Sequence, residues 1–182
     1  MADDILALVL AHGADKAGLI KAARVPFDPV LRKACEVNTC GQYGANYGCP
    51  PHVGGIEECI AHAKEYEDLL LFQTIGALED SFDVEGMDAA GQHHRQVARA
   101  VFEALDMSDK LMLSAGGCRL CACCAVHTNE ACRLPHKLIP SLSAYGINVS
   151  KTAALAGMKY INGVNTVTFF SALFLPKGYA HI

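Results

Sequence analysis

Seven cysteines fall into two groups whose spacing suits metal chemistry. In the stretch CRLCACCAVHTNEACRLP, Cys118, Cys121 and Cys124 follow a C-x2-C-x2-C pattern, and Cys132 stands eight residues further on, ahead of Pro135. An iron–sulfur cubane needs four thiolates arriving from different directions. A tight loop directs three at one cluster, and a more distant cysteine closes the fourth corner; bacterial ferredoxins space their first three ligands the same way, with a closer fourth. Structural zinc sites draw instead on two C-x2-C pairs, or on a Cys pair and a His pair, from separate knuckles. His127 and His136 keep a Cys3His zinc site as the alternative. Cys123 breaks the spacing and is read as a packing residue or as one without a role. Arg119 and Arg133 lie between and beside the thiols, either as donors to cluster sulfurs or as solvated cations.

The second group comes earlier, in CEVNTCGQYGANYGCPP, where Cys35, Cys40 and Cys49 are spaced C-x4-C-x8-C. Cys59 follows ten residues on, but its surroundings, IEECIAHA, read as a helix in which it is a core residue. Three ligands leave a metal with an open corner that can hold substrate, water or an external sulfur. If His52 or Cys59 closes that corner, the site serves structure or electron storage. The spacing leaves both readings open. Tyr43, Asn46 and Tyr47 lie between these cysteines, as walls and amide donors around a metal or as ordinary turn residues. His93 and His94 sit in a long helical pattern, and His94, on its apolar stripe, is read as a satisfied core group rather than a ligand or proton carrier.

The elements that must hold these loops are legible from caps and periodicity. Asp3 or Asp4 caps a first helix carrying Ile5, Leu8, Val9 and His12 on one face, with Gly13 as its stop. GLIKAARVPF reads as a strand ended by Pro26, and DPVLRKAC as a helix with Asp28 at the N-cap and Pro29 at its first position. IEECIAHAKEY is helical, DLLLFQTIG is a strand, and residues 78 to 86 form a surface connection. Apolar residues at helical spacing place an amphipathic helix within Val84 to Leu105. KLMLSAG is a strand ending at Gly116-Gly117. HKLIPSLSAYG and SKTAALAG read as short helical pieces, and YINGVNTVTFFSALFLP as a strand buried on both faces. The expected fold is α+β, a single domain over residues 1–182, with a central β-sheet flanked by helices and two irregular cysteine-rich metal-binding loops.

Composition narrows the function. The 182 residues carry a formal net charge of −4, with 52% hydrophobic residues, and no basic excess to attract nucleic acid. The N-terminus places two acids before its apolar run, where a secretory signal needs positive charge. A cytoplasmic protein is expected, in which clustered thiols stay reduced and serve metal or redox chemistry rather than disulfides. The uncharged run before Pro176 is interrupted by Asn162, Asn165, Thr166, Thr168 and Ser171, which argues against membrane insertion.

The two cysteine motifs, followed by PSLSAYGINV, resemble an uncharacterised bacterial and archaeal family of cysteine-rich predicted metal-binding proteins. The resemblance spans Cys35 to Val149. It implies metal binding but no reaction, and it marks Cys35, Cys40, Cys49, Cys118, Cys121, Cys124 and Cys132 as ligands. Cys59 and Cys123 lie outside the family pattern. Family members carry an acidic residue in the segment before the final glycine, where this chain has Ser141-Leu142-Ser143-Ala144.

The leading expectation is one [4Fe–4S] cluster on Cys118, Cys121, Cys124 and Cys132, with a second metal or cluster on Cys35, Cys40 and Cys49. The work expected is one-electron transfer to a redox partner protein, since no flavin or nicotinamide motif is present. Two rivals stand beside it: an enzyme using an open iron at the first loop for Lewis-acid or sulfur-transfer chemistry, and a zinc-stabilised interaction module.

Overall fold

A computed structural model describes residues 2–105 and 109–179. The chain folds as an α+β structure around a four-stranded, wholly antiparallel sheet. Its strands are β1 (Lys16–Lys21), β2 (Asp68–Ala77), β3 (Leu111–Ser114) and β4 (Thr166–Leu175), in the order β1-β2-β4-β3. The register sets Leu71 opposite Gly18 on β1 and opposite Ala172 on β4, and Ser114 of β3 opposite Ser171.

Helices cover both faces of this sheet, which explains why β2 reads as a continuous apolar run despite its antiparallel pairing. Successive side chains alternate. Leu70, Phe72, Met112, Leu173 and Leu175 pack with Ile5 and Val9 of helix α1 (Ala2–Ala11) and with Val97, Ala98 and Val101 of the long helix α4 (Val84–Ala104). Leu69, Leu71, Leu113, Ala172 and Phe174 face the other way. They pack with Cys59 and Ala63 of α3 (Ile56–Ala63), with Tyr145, and with Ala153 of α5 (Val149–Leu155).

Local signals account for most boundaries. Asp28 caps α2 (Pro29–Glu36), its carboxylate accepting from the Val30 N–H at 3.0 Å, and Asp83 caps α4 through the Gly86 N–H at 2.8 Å. Gly76 lets α4 approach the sheet, since a Cβ there would stand 2.5 Å from the Ala90 Cβ. Three expectations change. Helix α1 already includes Ala2, so Asp3 and Asp4 fall inside its first turn. The first strand stops at Lys21, and Ala22–Arg24 form a 3-10 turn before Pro26. In HKLIPSLSAYG the pieces are single 3-10 turns, Pro135–Lys137 and Ser143–Tyr145, because a proline sits on each side of Ile139. Among the described residues no helix is long and apolar enough to cross a membrane.

Candidate metal centre

The second cysteine loop hangs from the end of β3. Ser114 pairs with Ser141 in a parallel bridge, and Gly116, at a φ of 85°, turns the chain out of the sheet. The loop then passes through a 3-10 turn at Ala125–Thr128, closed by Asn129 in the left-handed conformation. Cys118, Cys121, Cys124 and Cys132 all line one small cavity, walled also by Tyr47, Leu120, Ala125 and Leu138. All four are partly buried. Burial pushes the Cys118 thiol up; the Leu120 N–H and the Arg99 guanidinium pull it down, while Cys124 and Cys132 add to the rise.

The first loop is delivered by α2, whose last turn carries Cys35. Asn38, at a φ of 57°, accepts the Tyr43 N–H at 2.9 Å, and the Gly44 N–H donates to the Pro50 carbonyl at 2.8 Å. These turns fold the loop back so that Cys35, Cys40 and Cys49 act on one another. Burial raises the Cys35 thiol, with Cys40 adding to it and Arg32 opposing. Cys49, the buried member, is raised by burial, lowered by hydrogen bonds from Asn46 and Ser141, and raised again by Cys40 and Cys35. Cys40 is exposed.

Asn46 ties the two loops together. Its side chain is 2% exposed, and its Oδ1 accepts from the backbone N–H of Gly48 at 2.9 Å and of Cys118 at 3.3 Å. Its Nδ2 donates to Gln42 at 3.2 Å. Gly117 fits beneath this amide, because a Cβ there would stand 2.8 Å from Asn46 Nδ2. Tyr47 reaches across as well, its hydroxyl donating to the Glu130 carbonyl at 2.5 Å. The Ser141-to-Ala144 segment closes the other side: the Ser141 N–H donates to the Gly48 carbonyl at 2.9 Å, and its hydroxyl bonds to Cys49. This segment therefore presents a neutral hydroxyl to a cysteine.

The remaining candidates separate from the two sets. Cys59 is 4% exposed in the core, its thiol 3.7 Å from the Val53 carbonyl. Cys123 is exposed and does not line the cavity. Neither His127 nor His136 lines it; both are exposed, and His136 sits by Phe102 and Pro140 instead. His52 packs edge-on against Tyr47. Arg133 does line the cavity, held by Glu130 at 2.9 Å and by the Cys123 carbonyl. His94 is buried with both ring nitrogens engaged, Nδ1 with Thr74 at 2.9 Å and Nε2 with Ser171 at 2.8 Å, so it is a core group. Among the described residues no three His, Cys, Asp or Glu side chains meet in the arrangement a single bound ion requires.

In a comparison with protein families, residues 18–175 match the predicted metal-binding protein family (DUF2284). The chain belongs to this family. The matched span runs from β1 to the last residue of β4, so the predicted metal-binding family includes the sheet as well as both cysteine loops. Neither curated proteins nor solved structures gave a match. What spacing alone did not single out is the joining role of Asn46 and Ser141. An asparagine in a glycine-rich loop looks like any turn residue until its burial is known.

Proposed function

We propose that this metal-binding protein is an iron–sulfur protein, with Cys118, Cys121, Cys124 and Cys132 as the thiolates of one [4Fe–4S] cluster. The observation that carries the reading is the single cavity lined by those four cysteines and by no histidine. Four thiols around one cavity, three of them in a C-x2-C-x2-C run, suit a cubane that takes one thiolate at each iron. The donor set is soft, and apolar walls from Leu120, Ala125 and Leu138 limit water, the environment that tunes such a site. When bound, the cluster supplies one-electron storage: an electron enters from a reduced partner protein and leaves to an oxidised one. Tyr47 screens the site, and Arg133 places a cation beside Cys121 that offsets thiolate charge.

Cys35, Cys40 and Cys49 form the second site of this reading. With Cys59 turned into the core, three thiols that influence one another remain, and a metal that drew these three together would keep one coordination position open. That opening also supports a second reading, an enzyme whose chemistry takes place at the first loop.

Anaerobic purification followed by iron, zinc and acid-labile sulfide determination on one sample, with the visible spectrum, tests the proposal. About four irons and four sulfides per chain with a broad brown absorption is the expected minimum, and about eight of each places clusters at both loops. Zinc without sulfide overturns it and leaves a zinc-stabilised module.

A further inference from the structure

A cleft of about 530 Å³ runs between the outer face of α4 and the segment Ser114 to Leu120, within the size range of small-molecule sites. It borders the cysteine cavity directly, since Cys118 and Leu120 line both. Three guanidiniums line it: Arg95 and Arg99 from successive turns of α4, and Arg119 from the loop. Arg99 is already engaged, donating to the Lys137 carbonyl at 2.7 Å, lying 5.4 Å over the Phe102 ring and offset by Glu103, the acid of the cleft.

Arg95 and Arg119 are different. Among the described residues neither makes a hydrogen bond or an ion pair; both line the cleft, and burial together with the Arg119 charge disfavours the Arg95 cation while Asp88 favours it. Two cations held together over a cleft floored by Ala98, Ala115 and Ile139 are arranged for an anion with an apolar body.

We propose that this cleft binds a small organic oxyanion, its phosphate or carboxylate gripped by Arg95 and Arg119 and its apolar part lying along α4 beside Cys118. The family description and the electron-transfer reading assign no such site, and the proposal stands independently of which metal the cysteines hold. The ligand would lie against Cys118, which lines the cleft as well as the cysteine cavity.

The test is calorimetric titration of the full-length, anaerobically purified protein with phenylphosphate, benzoate and the neutral benzyl alcohol as probes. Phenylphosphate or benzoate is expected to bind at least about tenfold more tightly than benzyl alcohol, and which of the two is tighter distinguishes a phosphate from a carboxylate ligand. Arg95→Ala and Arg119→Ala should each weaken that binding about tenfold, with Arg119→Lys recovering part of it and metal content unchanged. Because both side chains reach into a surface cleft, circular dichroism should show the variants folded; if Arg95→Ala is not, Arg119→Ala and Arg119→Lys carry the test. Binding of the anions no tighter than that of the alcohol, or equal binding by the folded variants, overturns the proposal.

Discussion

The Asn46 side-chain oxygen accepts the backbone N–H of Cys118 at 3.3 Å, so a residue of the first cysteine loop fixes the first cysteine of the second. The same amide bonds to Gly48 and Gln42 and lies against the Cys49 thiol. Replacing it with alanine leaves one buried and one part-buried N–H group without an acceptor. Asn46→Ala should therefore lower stability by about 1–3 kcal/mol and reduce the metal retained by both loops. Urea unfolding and metal analysis on the same preparation check this. Wild-type values for both would mean that the loops are held by other contacts.

The cysteines divide by environment, and serine variants should divide with them. Cys124→Ser should make the second-loop metal labile while the first loop keeps its own. Cys123→Ser, at an exposed position outside the cavity, should leave metal content unchanged. Cys59→Ser should also keep the metal, with stability reduced by about 1 kcal/mol, because a more polar hydroxyl replaces a thiol in the core. Iron, zinc and sulfide analysis of the three variants separates the roles; loss of metal from Cys123→Ser would reassign that residue as a ligand.

His94 makes stability depend on pH. Burial lowers its pKa from 6.5 to about 4. The native state thus refuses a proton that the unfolded chain accepts. Its contribution is fully present above about pH 6.5, declines as pH falls towards 4 and is gone below that, amounting to about 3 kcal/mol. Urea unfolding at about pH 7 and about pH 5 should show wild-type protein losing stability between them. His94→Gln, which cannot take up a proton, should lose less across the same interval. Equal losses would place the acid sensitivity elsewhere.

Gly117 sits where the two loops touch. A methyl group at this position meets the side-chain ends of Asn46 and Gln42. Gln42 is partly exposed and can swing aside, whereas Asn46 is buried and bonded on every side. Gly117→Ala should cost about 1–3 kcal/mol as the loops are forced apart. Thermal unfolding measures this, and Gly116→Thr distinguishes overpacking from backbone strain: its Cβ would meet nothing within 4 Å, but the φ of 85° penalises a β-branched residue.

Much of the framework follows from local signals. Asp28-Pro29 starts α2 because carboxylate and ring each suit a helix N-terminus, and the spacing of Ala90, His94, Val97 and Val101 describes α4 because every third or fourth residue returns to the sheet. Boundaries were less legible where two signals competed. KAARV carries residues compatible with a strand, yet after Lys21 the backbone leaves the sheet into a 3-10 turn. Asp3 and Asp4 are residue types that favour caps, but with Ala2 already in the helix they fall within its first turn.

For the site, the sequence by itself marked seven candidate thiols by their short spacing, six of them in turn-rich segments and Cys35 at the end of a helix. The grouping follows from spacing, and the tertiary structure decided the surroundings of each thiol. Cys59 and Cys123 are chemically the same as the others, and burial in the core or exposure outside the cavity separates them. The contact between Asn46 and Cys118, 72 residues apart in the chain, and the cleft formed by Arg95 and Arg119 arise where β3, α4 and two loops meet. No local pattern encodes such a meeting, because it depends on which sheet edge each loop leaves and not on the residues within it.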